Sequence, residues 1–297
     1  SASYGKYSVF MAASNGFTAN YDRSSNSVSC VAIAGEGLNM ERDYDADTRV
    51  YQSDLRPSDE IGRTAGLRAV ERLNPRRPAT GSYPVIYDER ISSGLVGHFL
   101  SAINGAAITR GSSWLKDSLG KQVLPSTCKL VENPHRLRAG ASRLFDSEGL
   151  ATKKREILSK GVLNGWTLDL ASARKLGMKP TANASRNVSS NPSPTNWNIE
   201  LSSPEDYCDN LLSEMGNGLL VTSLIGSTIN PNTGDYSRGV SGFWVENGQI
   251  CYPVSEITIA GNLRDMLKKI ILGNDAQRHL SYVVPSILVE EMTLAGS

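Results

Sequence analysis

Histidine and cysteine are scarce in this sequence of 297 residues. The histidines number three, His98, His135 and His279, so nitrogen ligands for a metal centre are few. The four cysteines lie far apart and form no Cys-x-x-Cys pair: Cys30, Cys128, Cys208 and Cys251. This spacing argues against a disulfide framework and against a structural zinc knot, and it favours reduced, buried thiols in a cytoplasmic protein.

Long apolar runs and an excess of charge of one sign are also missing. The longest apolar run, residues 218–225, is far too short to span a bilayer. The 31 Lys and Arg residues balance 30 Asp and Glu residues, which leaves no electrostatic signature of nucleic-acid or anionic-membrane binding. The first residues do not form a signal peptide. We therefore expect neither nucleic acid nor membrane among the partners.

The patterns that are present predict an α+β fold, mainly of antiparallel sheet with barrel-like parts and a few packed helices. Strands are expected over residues 6–13, 27–34, 40–53, 83–87, 218–224 and 282–294, with 40–53 facing solvent. Helices are expected from Ser58 as N-cap to Asn74-Pro75, over 91–103, over 170–176 capped by Asp169, from Ser203-Pro204 to Gly216, and from Asn262 through Ile270. Residues 114–138 show mixed, loop-rich signals.

Residues 233–261 carry the strongest local signal, a β-hairpin. Strand-like runs at 239–245 and 250–259 flank the Asn247-Gly248 pair, whose residues tolerate positive φ. Pro253 cannot donate to a sheet, so its strand is expected at an edge or a bulge. The glycines of this segment indicate a bulge or the close approach of another backbone. A second hairpin is expected where 157–159 and 167–170 flank 160–165.

The chain is expected to divide into three regions. Residues 1–76 form the end of an α+β region, 77–190 a central region and 191–297 a β-rich region, with 77–297 as one compact domain. Residues 181–198 are rich in Ser, Asn and Pro and predict a long loop, which is either a linker or a functional flap.

Several longer segments resemble the TldD/PmbA family, and within it the PmbA (TldE) branch. The matching segments are residues 40–44, 115–123, 145–149, 172–177, 234–239, 242–248 and 252–263. The resemblance covers nearly the whole chain. Family members carry a leading α/β domain before the first strand, and this sequence is expected to lack most of it.

The resemblance implies a cytoplasmic zinc metalloprotease built as a heterodimer of a TldD-like and a PmbA-like subunit. The complex cuts unfolded peptides, including peptide precursors and an antitoxin, and the TldD-type subunit holds zinc through a His-Glu-x-x-x-His motif and a later Cys. In this chain the second motif histidine falls on His98, but the first falls on Ser93 and the glutamate on Gly94, and no Cys follows Leu280.

Zinc catalysis needs about three protein ligands and a general base. We therefore expect no metal, no cofactor and no catalytic residue in this chain, and a zinc ion in the TldD-like partner. His98 is then either a satisfied polar residue on a helix or a remnant that lines the partner's chamber.

Six further polar residues are predicted to bind peptide or partner: Asp146, Glu148, Asp235, Tyr236, Arg238 and Glu256. The first two, two residues apart, would share a strand face as paired carboxylates, or would bind backbone amides or an arginine. The other four belong to the hairpin and would shape a peptide channel, dock the partner, or satisfy one another inside a barrel wall.

Three other functions fit the same residues. The chain could be a stand-alone peptide-binding module that accepts a strand at a sheet edge. It could be a regulatory protein acting on DNA gyrase, or an independent hydrolase that holds a metal through His98 and carboxylates. A homodimer is a further expected assembly, since members of the branch self-associate.

Overall fold

The computed structural model describes residues 1–204 and 206–296, with residues 227 and 228 described by their backbone alone. These residues form an α+β structure in which most strands pair antiparallel and five of them close into a barrel. The predicted fold class is thereby confirmed.

The first part of the chain is a three-stranded antiparallel sheet covered by a helix. Strands β1 (Ala2–Ala12), β2 (Thr18–Ala34) and β3 (Glu41–Arg49) pair in chain order, and α1 (Ser58–Glu71) packs on β2 and β3. The second strand begins nine residues before the predicted start, because it pairs with the whole of β1. Ser58 is the first helical residue and not the N-cap, a position that Pro57 takes without a side-chain hydrogen bond.

Residues 40–53 differ from the prediction of a solvent-facing strand. The strand ends at Arg49, and its alternate residues Asp43, Asp45 and Asp47 are buried beneath α1. Arginines form ion pairs with these carboxylates, so the polar residues of this strand can be buried. A period of two in charged residues marks one sheet face as surely as a period of two in apolar residues does.

The barrel is built from β4 (Gly81–Tyr87), β12 (Gly218–Ile229), β13 (Asp235–Glu246), β14 (Gln249–Asn262) and β17 (Ile287–Ala295). Each of these strands pairs with two of the others, since β17 bonds to both β14 and β4. The short strands β15 (Ile270–Gly273) and β11 (Tyr207–Cys208) extend the sheet beyond β17.

The predicted hairpin is confirmed as β13 and β14. Asn247 and Gly248 have φ of 50° and 74°, the left-handed geometry of a tight hairpin turn. Pro253 lies in the part of β14 that β17 does not reach, between two irregularities of the β13 pairing. A Cβ atom on Gly242 would lie 1.9 Å from the Leu220 carbonyl oxygen, so the glycine is required by the approach of β12.

A second, five-stranded sheet packs beside the barrel. Its order is β16 (Tyr282–Val283), β10 (Ile199–Ser202), β5 (Lys129–Glu132), β6 (Arg155–Ser159) and β7 (Val162–Leu163). The second predicted hairpin turns earlier than expected, at Lys160 and Gly161, and 162–163 rather than 167–170 forms its return strand. Within the predicted loop 181–198, β8 (Ala184–Ser185) and β9 (Ser193–Pro194) form a small pair.

Five further helices connect these sheets: α2 (Glu89–Ala102), α3 (Gly105–Arg110), α4 (Leu170–Leu176), α5 (Leu211–Met215) and α6 (Leu263–Lys268). The predicted cap of α4 by Asp169 is confirmed, and Asn262 caps α6 as expected. The predicted helix start at Ser203-Pro204 is wrong; Asn210 caps α5, and residue 205 lies outside the described residues. Ile270 belongs to β15 and not to the preceding helix.

One continuous hydrophobic core joins the barrel, α2 and the five-stranded sheet. Among the described residues, no helix is both long and apolar enough to cross a lipid bilayer. Helix α2 is the element that brings residues 93–98 against the barrel, and the candidate site is built around it.

Candidate functional site

Helix α2 carries Ser93, Gly94 and His98, the three residues that the sequence places at the positions of the zinc motif. Asp88 caps the helix by accepting the Arg90 amide at 3.1 Å. Gly94 and His98 are four residues apart and share a face, since a helix repeats every 3.6 residues. An added Cβ at Gly94 would lie 3.9 Å from Leu224 of β12, so this face is turned towards the barrel.

His98 packs against a pair of buried tyrosines. Its ring meets the Tyr236 ring edge-on with centroids 5.9 Å apart. Tyr236 and Tyr87 are 2% and 0% exposed, and each side chain affects the pKa of the other. The Tyr87 hydroxyl also donates to the Met292 Sδ atom at 3.4 Å. The imidazole therefore belongs to an ordered aromatic cluster inside the fold.

Arg238 places a cation beside this cluster. It follows Tyr236 by two residues on β13 and so lies on the same strand face. Its buried Nε atom has no hydrogen-bond partner among the described residues. Burial lowers the pKa of His98, and the charge of Arg238 lowers it further.

The two tyrosines stay protonated at neutral pH. Burial raises the pKa of Tyr87 well above its ordinary value, and it also raises the pKa of Tyr236 despite the opposing charge of Arg238. The cluster thus combines a neutral imidazole, neutral hydroxyls and one guanidinium with an unused donor. Such a group can donate to a carbonyl or carboxylate oxygen.

This site does not fit a zinc ion. Ser93 and Gly94 supply neither an imidazole nor a carboxylate, and the cation of Arg238 would repel a bound metal. Across residues 1–204 and 206–296, no three His, Cys, Asp or Glu side chains come together as a metal-binding group.

Asp146 and Glu148 lie elsewhere and bind backbone amides. Asp146 is buried and accepts the amides of Glu148 and Leu150 at 2.9 Å and that of Ala184 at 3.0 Å. Glu148 accepts the Leu170 amide at 2.8 Å, at the first turn of α4, and burial raises its pKa. Both carboxylates hold loops in this structure, one of the two roles that the sequence left open.

Asp235 and Glu256 also lie apart from His98. Asp235 is exposed and accepts the Thr233 hydroxyl at 2.6 Å and the Asn262 amide at 3.0 Å, bonds that lower its pKa. Glu256 forms an exposed ion pair with Arg77, and its φ of 55° places it in a bulge of β14. Of the six polar residues predicted to bind peptide or partner, only Tyr236 and Arg238 are brought to the face of α2.

A network that the sequence did not reveal anchors α2 to the first sheet. Arg90 bonds both Asp88 and Asp43 at 3.0 Å. The neighbouring carboxylates of β3 bind other basic side chains: Asp45 binds Arg56 and Arg68, and Asp47 binds Arg49 and His279. The Asp-x-Asp-x-Asp spacing was the available signal, but, apart from Arg49 of the same strand, the arginines come from other segments.

The comparisons with known families account for almost all of the chain. Residues 1–73 match the PmbA/TldA metallopeptidase central domain, and residues 80–296 match its C-terminal domain. The chain is 43% identical to metalloprotease PmbA of Escherichia coli O157:H7 over 95% of its length. It is 41% identical to a metalloprotease PmbA homolog of Haemophilus influenzae over 96%. It spans 61% of the length of each of these relatives.

Solved structures agree with this relationship. A putative modulator of DNA gyrase from Bacteroides thetaiotaomicron superposes with a TM-score of 0.89 at 31% identity, over all of this chain and 66% of that one. TldE from Thermococcus kodakarensis gives 0.87 over 99% of this chain and 68% of its own, but at 19% identity it supports the fold alone. The chain therefore belongs to the PmbA/TldD metallopeptidase family, and within it to the PmbA branch.

Proposed function

We propose that this chain is the zinc-free, PmbA-type subunit of a cytoplasmic two-subunit metalloprotease. Its partner is a TldD-like subunit that holds the catalytic zinc, and the complex cleaves unfolded peptides in peptide maturation or antitoxin turnover. In this complex the chain contributes a wall of the substrate chamber. It can also pair with a second copy of itself when the partner is absent.

The observation that carries this proposal is the arrangement around His98. The position that aligns with a zinc-binding histidine packs against Tyr236 next to an arginine, and the aligned Ser93 and Gly94 offer no ligand. Relatives at 43% and 41% identity are nevertheless named metalloproteases. A chain that keeps the fold of the family but lacks the zinc ligands is expected if a second subunit supplies the metal.

Arg238 has a defined role in this proposal. Its buried Nε donor has no partner among the described residues, so its hydrogen-bonding capacity is unused. A buried N–H group of an arginine that gains a hydrogen bond recovers part of its desolvation cost, since hydrogen bonds to charged groups contribute about 1.5–3 kcal/mol. We propose that Arg238 binds a carbonyl oxygen of a peptide in the chamber.

The test is to co-purify this chain with a TldD-like subunit, to quantify zinc and to measure cleavage of an unfolded peptide. We expect a stable complex, about one zinc per heterodimer, and cleavage only when both subunits are present. An Arg238→Gln variant should retain the complex and its zinc but cleave more slowly. Arg174→Gln, which removes an exposed arginine of α4, is the matched control.

Two results would overturn the proposal. The first is the failure of the two subunits to associate, which would favour a stand-alone peptide-binding protein. The second is stoichiometric zinc in this chain alone, which would favour an independent metal-dependent hydrolase.

A further inference from the structure

A concave site lies between β2 and the loop of residues 134–144. It has a volume of about 310 Å³, within the range of small-ligand pockets. None of its lining residues belongs to α2 or to the barrel strands, so it is separate from the cluster around His98.

Positive charge dominates this pocket. Four arginines line it: Arg23, Arg136, Arg138 and Arg143. Asp54 neutralises Arg138, since its two carboxylate oxygens accept hydrogen bonds from the Arg138 Nη1 atom at 2.7 and 2.9 Å. In the part of the chain that the structure describes, the other three arginines make no direct ion pair with a carboxylate, although Asp146 and Glu200 act on Arg143 and Arg136 from a longer distance. The lining contains one acid, Asp22, which accepts the Ser8 hydroxyl.

Arg143 is held as a rigid donor at the pocket wall. Its guanidinium lies 3.6 Å from the centre of the Trp197 ring, and Trp197 is buried with its indole N–H donating to the Ala182 carbonyl at 3.0 Å. The Nε atom of Arg143 is buried and has no hydrogen-bond partner among the described residues. Stacking covers the face of the guanidinium but leaves its donors, which lie in the plane, available to a planar acceptor.

The pKa of Arg143 also indicates that its positive charge is not balanced in this pocket. Burial lowers the pKa of the Arg143 guanidinium, and repulsion from Arg23 contributes to the lowering. Tyr21 and Asp146 act in the opposite direction without reversing it. The charged form is thus less stable here than in water, and a bound anion would stabilise it.

We propose that this pocket binds a carboxylate group of a peptide, with Arg143 as the forked donor and Arg23 as a second cation. A carboxylate accepts two parallel N–H bonds from one guanidinium, and the guanidinium of Arg143 lines this pocket. That the carboxylate belongs to a peptide rests on the proposed function. That the pocket binds an anion does not depend on it.

The surroundings favour a carboxylate over a nucleic-acid phosphate. Apolar residues line the pocket beside the arginines, including Val50, Pro134 and Leu144. The chain carries a net charge of only +1 and contributes no lysine to this pocket, whereas nucleic-acid surfaces are broadly basic.

The experiment is calorimetric titration of the 297-residue chain with three acetylated tripeptides. One ends in a glutamate amide, one in an alanine with a free terminal carboxylate, and one in a glutamine amide without any carboxylate. We expect the first or the second to bind and the third not to bind, and the tighter of the two identifies the source of the carboxylate. Inorganic phosphate is titrated in parallel and is expected to bind more weakly.

Variants assign the binding to the pocket. Arg143→Gln and Arg23→Gln should each weaken binding by about 10-fold or more, since each removes a charge-assisted contact. Arg143→Lys should retain part of the affinity because it keeps the charge but loses the fork. Arg174→Gln on α4 is the matched control and should bind like the unaltered chain. Among the described residues Arg23 stacks on no aromatic ring, so its variant keeps the test valid if Arg143→Gln disturbs the fold.

The proposal is overturned if the glutamine amide binds as well as the carboxylates, if phosphate binds more tightly, or if Arg143→Gln and Arg23→Gln leave affinity unchanged. Because the titration uses neither the TldD-like subunit nor cleavage, its failure is distinguishable from failure of the proposed protease complex.

Discussion

The Arg90 guanidinium donates to Asp43 Oδ1 at 3.0 Å, and this bond joins the start of α2 to β3. The other oxygen of Asp43, Oδ2, accepts Arg72 of α1 at 2.9 Å. The Asp43 and Arg72 side chains are 5% and 9% exposed, so the pair is shielded from water. One carboxylate thus connects the segment that matches the family's central domain to the helix that carries His98.

We expect Asp43→Asn to lower the free energy of unfolding by about 3–5 kcal/mol, because it leaves the buried Arg72 guanidinium without its counter-ion and removes one of the two carboxylates that bind Arg90. The amide has nearly the same shape as the carboxylate, so the loss reports charge and hydrogen bonding rather than packing. Denaturation by urea, followed by circular dichroism, measures the change.

Glu36→Gln is the matched control for this substitution. Glu36 is exposed next to a short 3₁₀ turn and makes no side-chain cap there. We expect a change within about 0.5 kcal/mol, as for other surface substitutions. An equal effect of the two substitutions would contradict a structural role for the Asp43 ion pairs.

The same network predicts a loss of stability in acid. Burial alone would raise the pKa of Asp43, but the Tyr44 amide, Arg90 and Arg72 outweigh it and lower the pKa below 3.8. The unfolded chain therefore takes up protons at a higher pH than the folded chain does. The contribution of Asp43 is full above the ordinary aspartate pKa and is lost as the pH falls through the lowered, folded-state pKa.

Measuring unfolding free energy from pH 6 down to pH 2 tests this dependence. We expect the unaltered chain to lose stability steeply below about pH 4. Asp47 has a lowered pKa as well, so Asp43→Asn should reduce the steepness of the loss and not abolish it. The same slope in both proteins would show that Asp43 does not titrate as described.

The sequence predicted best those features that depend on neighbouring residues. The hairpin turn at Asn247-Gly248, the Asp169 cap of α4 and the Asn262 cap of α6 are all set within a few residues, and all three are confirmed. The chain's resemblance to a known family was confirmed as well. For the turn and the two caps, the required residue types lie in one short window, whereas the resemblance rests on segments spread along the chain.

Features that depend on distant partners were missed or misassigned. The aspartates of β3 appeared to face solvent because most of their arginines come from outside the strand, such as Arg72 at the end of α1 and Arg90 of α2. Arg143 gave no signal because its stacking partner, Trp197, is 54 residues away in the chain. Tyr236 and Arg238 were singled out, but their position beside His98 follows from barrel closure rather than from local spacing.

His98 provides a spectroscopic probe of the site on α2. Burial and the charge of Arg238 lower its pKa below the ordinary value of 6.5. In an NMR titration the His98 resonance should therefore shift at a lower pH than that of a free imidazole. Arg238→Gln should move the midpoint upward, because it removes a repelling charge and leaves the burial.

The sign of the effect on stability follows from the lowered pKa. Since the unfolded histidine binds its proton first as the pH falls, His98 contributes fully above its unfolded pKa, and the contribution is lost on acidification through the folded pKa. Arg174→Gln should leave the His98 midpoint in place. If Arg238→Gln left the His98 midpoint unchanged, the two side chains would not interact electrostatically, and Arg238 would not belong to the site.

Two glycines should respond in opposite directions to substitution by alanine. The Cβ atom of Gly242→Ala would lie 1.9 Å from the Leu220 carbonyl oxygen and 2.9 Å from the Val221 Cα atom. Both are backbone atoms of a paired strand and cannot move without loosening the barrel. We expect a destabilisation of about 3 kcal/mol, at the upper end of the usual cost of overpacking.

Gly97→Ala is the matched comparison, because a Cβ atom at Gly97 would meet no atom within 4 Å. Alanine inside a helix restricts the unfolded chain and should stabilise α2 by about 0.5–1 kcal/mol. Thermal unfolding of both variants measures the contrast. If Gly242→Ala were as stable as the unaltered chain, the close approach of β12 to β13 would not require glycine at position 242.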